Sequence, residues 1–209
     1  MSPAPPLSEL VNPAHTAVIT QECQGGIVGP DAGLHLLAAE ARRVALPNIS
    51  RLLPEARGAG VRVVHCIMER RPDGLGANHN ARLFAGGRAR GSELTPGSSG
   101  ASVVAELGPE DSDLVLGRFH GVGPMGGTDL DAVLRNLDVR NIIATGVSVN
   151  VAITNLVMDG VNKGYNMIVP RDAVAGYPAE YADAVLDGTI ALLATLTTTD
   201  EIIEVWRTS

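Results

Sequence analysis

Residues 139–164 read V-R-N-I-I-A-T-G-V-S-V-N-V-A-I-T-N-L-V-M-D-G-V-N-K-G, and this stretch decides the fold. Residues 139–145 are β-branched and apolar on both faces, the pattern of a strand covered on both sides. Residues 150–163 carry a helical period, and Gly164 suits the left-handed position that ends a helix. A buried strand running straight into a helix is one βα unit. The same alternation recurs along the chain. Residues 15–22, 61–67, 113–117, 165–170 and 201–206 also read as strands, and 31–45, 47–59, 101–107, 128–137 and 178–196 as helices. Thr128-Asp129-Leu130-Asp131 resembles a capping box with acids in the first helical turn. Right-handed crossovers between such units give an α/β fold, a three-layer α/β/α sandwich.

The chain has 209 residues, which suits a single domain over 1–209. Residues 68–100 break the rhythm with Gly, Arg and Asn and no clear period. They leave the second strand at the carboxyl edge, where open α/β sheets bind ligands, and so read as a long substrate-covering or subunit-bridging excursion. It carries Arg70, Arg71, Arg82, Arg88 and Arg90 in an otherwise acidic chain, so a homo-oligomer (dimer or tetramer) is expected, with this loop on the neighbouring subunit.

Net charge is −7, which argues against a partner bound through nucleic-acid phosphates. No run of about 18 apolar residues exists and the first basic residue is Arg42, so neither a membrane span nor a signal peptide is expected, and the location is read as cytoplasmic. Two cysteines, Cys23 and Cys66, make neither a disulfide scaffold nor a zinc site; they end adjacent strands and could approach each other there. His15, His35, His65, His79 and His120 lack metal-ligand spacing, so no metal is expected. Gly121-Val122-Gly123-Pro124-Met125-Gly126 matches a dinucleotide fingerprint, but the strand that follows it ends without the acid such a site needs. No cofactor is implied, and the glycines read as shaping a loop. No G-x-S-x-G elbow is present.

Glu22 is the most informative side chain. It ends the apolar first strand in T-A-V-I-T-Q-E-C-Q-G-G and is placed at the ligand-binding edge as a general acid or base. The turn at 147–152 points its first N–H groups at the same edge, a site for an oxyanion or carboxylate.

These pieces resemble the isochorismatase-like (cysteine hydrolase) superfamily over about 14–190. The resemblance rests on A-V-I-T-Q-E-C-Q-G-G, on G-T-D-L-D-A-V-L-R-N-L at 127–137, on I-I-A-T-G-V-S-V-N-V-A-I at 142–153, and on D-G-V-N-K-G-Y followed by P-R-D-A. It implies a six-stranded parallel Rossmann-like sheet, a homo-oligomer, a cis peptide at Val147–Ser148, a small-molecule substrate and a triad of strand-one acid, lysine and cysteine. The chain departs at each triad position. Glu22 stands for the aspartate, Arg118 for the lysine and Ala152 for the nucleophile. Alanine forms no thioester, and arginine keeps its proton, so its role is electrostatic. The resemblance places Val147, Ser148, Asn150, His120, Cys66, Asn80 and Arg82 around the substrate. The true isochorismatases also lack the cysteine; their strand-one acid protonates a vinyl ether and water adds to the oxocarbenium. By that likeness Glu22 is the acid, Arg118 the anchor of an anionic substrate and Ala152 vacated space. Asn150 in place of a common histidine, and G-R-F-H-G-V-G-P-M-G before Gly127, depart from that pattern. The alternatives are a non-catalytic member that binds small molecules or acts as a scaffold, and an amidase with Cys23 or Cys66 as a relocated nucleophile.

Overall fold

The computed structural model describes residues 5–84 and 93–208. Its strands are β1 (Thr16–Gln21), β2 (Arg62–Met68), β3 (Leu114–Arg118), β4 (Asn141–Val147), β5 (Asn166–Pro170), β6 (Val174–Ala175) and β7 (Thr195–Thr197). All pair in parallel in the order β3-β2-β1-β4-β5-β7, with β6 added beside the end of β4. The helices are α1 (Leu7–Leu10), α2 (Gly25–Val28), α3 (His35–Glu40), α4 (Leu46–Gly58), α5 (Leu130–Asn136), α6 (Thr154–Asn162), α7 (Ala179–Gly188) and α8 (Thr199–Thr208). This is the expected three-layer α/β sandwich. The chain steps outward from β1 to β3 on one side and from β4 to β7 on the other. The crevice between the carboxyl ends of β1 and β4 is therefore the topological switch point where such sheets take ligands.

Strand alternation builds two cores. Val18, Val63, Ile143 and Ile168 face Ile49, Leu52 and Leu53 of α4 and Ile202, Ile203 and Trp206 of α8. Ile19, Val64, Ile142 and Met167 face α5, α6 and α7 through Leu130, Leu134, Leu156, Val157 and Leu186. Both faces of β1 and β4 are buried along their whole length, which explains their unbroken apolar sequences.

Five expectations are corrected. Residues 201–206 belong to α8, not to a strand. Ile202, Ile203 and Trp206 share a helical face, and Thr198 and Glu201 form a capping box, each side chain bonded to the other's N–H at 3.3 and 2.9 Å. The helix expected over 178–196 ends at Gly188, and β7 takes the sixth place in the sheet. The helix expected over 101–107 is a single 3₁₀ turn, Ala105–Leu107. The two helices expected over 31–45 and 47–59 run together through a π-helical turn, Ala41–Ala45, just before Pro47, whose missing N–H and ring do not fit a regular ladder. At α5, the Thr128 hydroxyl accepts from Leu130 N–H, but Asp131 turns away to Lys163 (3.0 Å) and Tyr165 (2.9 Å), so no reciprocal box forms.

Within the long excursion, the buried Gln24 side chain accepts from Met68 N–H at 2.6 Å and donates to the Met68 and Gly100 carbonyls. It thereby ties the end of β2 and the returning chain to the end of β1. Arg88 and Arg90, part of the expected subunit contact, lie outside the described residues.

Candidate active site

β1 ends on Glu22, which adopts a left-handed backbone with φ of 54°. A non-glycine residue is held there only when its surroundings enforce it. Here Glu22 N–H donates to Cys66 O at 2.8 Å, and Gln24 anchors the following turn. The neighbouring β4 contributes Gly146, where a Cβ would lie 2.3 Å from Gln21 O, so only glycine fits beside this turn. The peptide Val147–Ser148 that follows is cis, as expected.

A cavity of about 110 Å³ opens at this point. Glu22, Arg118, Ser148 and Ala152 all line it, drawn from the ends of β1 and β3 and from the turn after β4. An Arg118 Nη2 donates to Glu22 Oε1. The Arg118 side chain is 2% exposed, and its Nε and Nη1 atoms are buried without a partner among the described residues. Glu22 is 15% exposed at the cavity floor. Ile27, Leu34, Leu37, Leu83, Phe84 and Leu94 supply apolar wall, and Arg70 adds a second guanidinium. The glycine-rich stretch at 121–126 is a loop, as read. Gly121 has φ of 76°, its N–H donates to Asn78 Oδ1 at 2.8 Å, and with Val122 it closes one side of the cavity.

The remaining expected site residues are placed elsewhere. Val147 is buried in the core, and Cys66 lies in the core on the other face of the sheet. Asn150 points away from the cavity into an adjoining groove, where it donates to Tyr177 O and accepts from Tyr177 N–H. His120 packs against Gly127 outside the lining, and Asn80 and Arg82 are exposed and do not line it. In the turn at 147–152 the Val151 N–H is turned inward and donates to Ser148 O at 3.2 Å, which also accepts from the following Ile153 N–H at 3.0 Å. The excursion contributes Arg70, Leu83, Phe84 and Leu94, which the sequence reading missed. The apolar pair Leu83-Phe84 within a polar stretch was the available signal.

The two cysteines do not meet. Cys23 belongs to the core beneath α4 and Cys66 to the core beneath α6. Both are fully buried, and neither lines the cavity. Burial, reinforced by the charge of Glu22, pushes the Cys23 thiol far above its ordinary value. Burial pushes Cys66 up to about 12, against the opposing pull of Arg118. Among the described residues no group of three His, Cys, Asp or Glu is placed to hold a metal ion, and Asp73 is engaged by Arg71 at 2.7 Å. No helix among them is long and apolar enough to cross a membrane.

Fold and site together define a parallel α/β protein with a carboxylate and a guanidinium at the carboxyl edge of its sheet. The isochorismatase domain family matches residues 16–201, and the chain belongs to the isochorismatase family. It is 28% identical over 193 residues to the ureidoacrylate amidohydrolase RutB of Enterobacter sp. (strain 638), covering 86% of this chain and 84% of that one. It is 29% identical over 138 residues to the secreted isochorismatase effector Isc1 of Verticillium dahliae, covering 66% and 63%. The crystal structure of a cysteine hydrolase from Pseudomonas syringae pv. phaseolicola 1448A superposes with a TM-score of 0.84 at 28% identity over 95% of each chain. N-carbamoylsarcosine amidase from Thermoplasma acidophilum shares the fold, with a TM-score of 0.70 at 21% identity over 89% of this chain and 97% of that one.

Proposed function

We propose that this family member hydrolyses a small anionic substrate without a covalent thiol step, with Glu22 moving the proton and Arg118 binding the anion. The observation that carries this reading is the cavity itself. Glu22 and Arg118 line it together with Ala152, the position at which the family resemblance expects the nucleophile, and neither cysteine is among its lining residues. Buried thiols held far from ionisation are poor nucleophiles, which weighs against a relocated cysteine.

Arg118 is spent on Glu22 rather than standing apart from it, and this changes how the acid must work. A carboxylate that accepts from a guanidinium holds no proton to give. An anionic substrate group offers the partner that Arg118 Nε and Nη1 lack. Drawing the guanidinium toward that group frees Glu22 to take a proton. On a vinyl ether, Glu22 then delivers it to the terminal carbon. Water adds to the oxocarbenium, loses a proton, and the hemiketal collapses to a ketone and an alcohol.

The pair as built also favours a second reading, in which Glu22 stays ionised and serves as a general base that activates water on an amide or imide. A panel of vinyl ethers, amides and imides followed by mass spectrometry, with pH–rate profiles, separates the two. An acid loses activity as pH rises, and a base loses it as pH falls. Glu22→Gln lowers turnover by about 10²–10⁴-fold in either case. Full turnover by that variant removes Glu22 from the chemistry. Binding of panel compounds without any turnover establishes the non-catalytic alternative.

A further inference from the structure

Beside the Glu22 cavity lies a second, larger opening of about 330 Å³. Leu34, Leu37 and Ser148 line both, so the two spaces share a wall. Their charges differ. The cavity holds Glu22, Arg70 and Arg118, whereas among the described residues no Arg, Lys, Asp or Glu lines the groove and its one ionisable ring is that of His35. Leu36 and Tyr177 present large apolar surface at its mouth, each 48% exposed. Tyr177 is fixed there, because both polar ends of the Asn150 amide are used on its backbone at 2.9 and 3.1 Å. Asn150 is thus a support for the groove wall.

We infer that this groove is the subsite for an uncharged, flat apolar tail of the ligand whose anionic head lies at Arg118. The inference rests on the head position proposed above and names the substrate class as a carboxylate or similar anion bearing an aryl or alkyl tail. Leu34, Leu37 and Ser148 border both spaces, so a molecule that passes over this shared rim reaches both, and the charge partition sorts its two ends. A tail laid on Leu36 and Tyr177 removes apolar surface from water on both partners.

The test uses propionate and 3-phenylpropionate as probes in titration calorimetry on the full chain. The phenyl group is expected to tighten binding by about tenfold, the value of burying part of one ring. The double variant Leu36→Ser/Tyr177→Ala, two exposed positions, is expected to remove most of that gain and leave propionate unchanged. Equal affinity of the two probes, failure of 3-phenylpropionate to bind, or a gain that survives the double variant overturns the subsite. So does a sedimentation result in which the wild type is an oligomer and the double variant a monomer, which makes the groove a subunit contact. Failure here is distinct from failure of the hydrolase reading. A lost tail effect with Glu22-dependent turnover sinks only the subsite, while full turnover by Glu22→Gln with the tail effect intact sinks only the chemistry.

Discussion

The two ends of β3 carry two buried arginine–carboxylate pairs of opposite character. At its amino end, just before Leu114, Asp113 accepts from Arg57 Nε and Nη2 at 3.1 and 2.7 Å, from His65 Nε2 at 3.2 Å and from Glu110 N–H at 3.0 Å. His65 Nδ1 in turn meets the Thr20 hydroxyl at 2.7 Å. The carboxylate is fully used, so His65 donates from Nε2 and accepts from Thr20. At the carboxyl end, Arg118 spends one nitrogen on Glu22 and keeps two without partners among the described residues. Both guanidiniums are well buried, yet one network is closed and the other open. A closed network is a structural brace, and an open one beside a cavity has hydrogen bonds left for a ligand.

The sharpest way to break this contrast is to disarm each end separately. Glu22→Gln is expected to cost about 10²–10⁴-fold in turnover with little change in melting temperature. Asp113→Ala is expected to do the reverse. It takes the buried partner from Arg57, leaving it only the exposed Glu110 at 3.4 Å, and should lower unfolding free energy by about 3 kcal/mol in urea titrations, while folded protein keeps its activity. If Asp113→Ala lost activity without losing stability, the brace would be part of the site.

Acid pH probes the brace next. Burial holds the His65 pKa below its ordinary 6.5 despite the pull of Asp113. The bonds from Arg57, Glu110 N–H and His65 hold Asp113 below its ordinary 3.8, against its burial. Both folded-state values are depressed, so the unfolded chain binds protons first as pH falls. Stability is therefore full above about pH 6.5, declines from there through His65, and declines again through Asp113 below about pH 4. The steepest slope from one group is about 1.4 kcal/mol per pH unit. His65→Gln should flatten the first decline in chemical denaturation curves at pH 5 to 7 and leave the second.

The smallest expected effect concerns Gln21, fully buried immediately before Glu22 with neither end of its amide partnered among the described residues. Gln21→Leu removes two unsatisfied polar atoms and should raise stability by about 1 kcal/mol in thermal or urea unfolding. A loss of turnover without a gain in stability would show that the open network extends from Arg118 across to Gln21.

Much of this architecture was legible in order along the chain. The apolar runs of β1, β2, β4 and β5, the helix start near Thr128 and the Gly164 stop with φ of 85° each follow from local patterning. Glu22 could be placed at the carboxyl edge for the same reason, since it ends an unbroken apolar strand. The errors came where one local pattern suits two structures. Glu201–Trp206 alternates well enough for a strand until the Thr198–Glu201 cap and the helical face of Ile202, Ile203 and Trp206 are counted. Thr195–Thr197 is too short to announce itself, and becomes a strand because β5 offers it an open edge.

The sequence by itself determined the layers, the edge at which the site opens and the absence of a thiol at position 152, because periodicity, caps and residue identity act over a few neighbours. Only the tertiary structure decided who meets whom at that edge. Glu22 and Arg118 are 96 residues apart and are joined because β1, β2 and β3 pair in one register. The same closure turned Asn150 toward Tyr177, separated Cys23 from Cys66 by the thickness of the sheet, and set the Arg70 and Leu83–Phe84 stretches over the cavity. Such choices depend on side-chain reach and on competition for buried hydrogen bonds, and no local spacing encodes them.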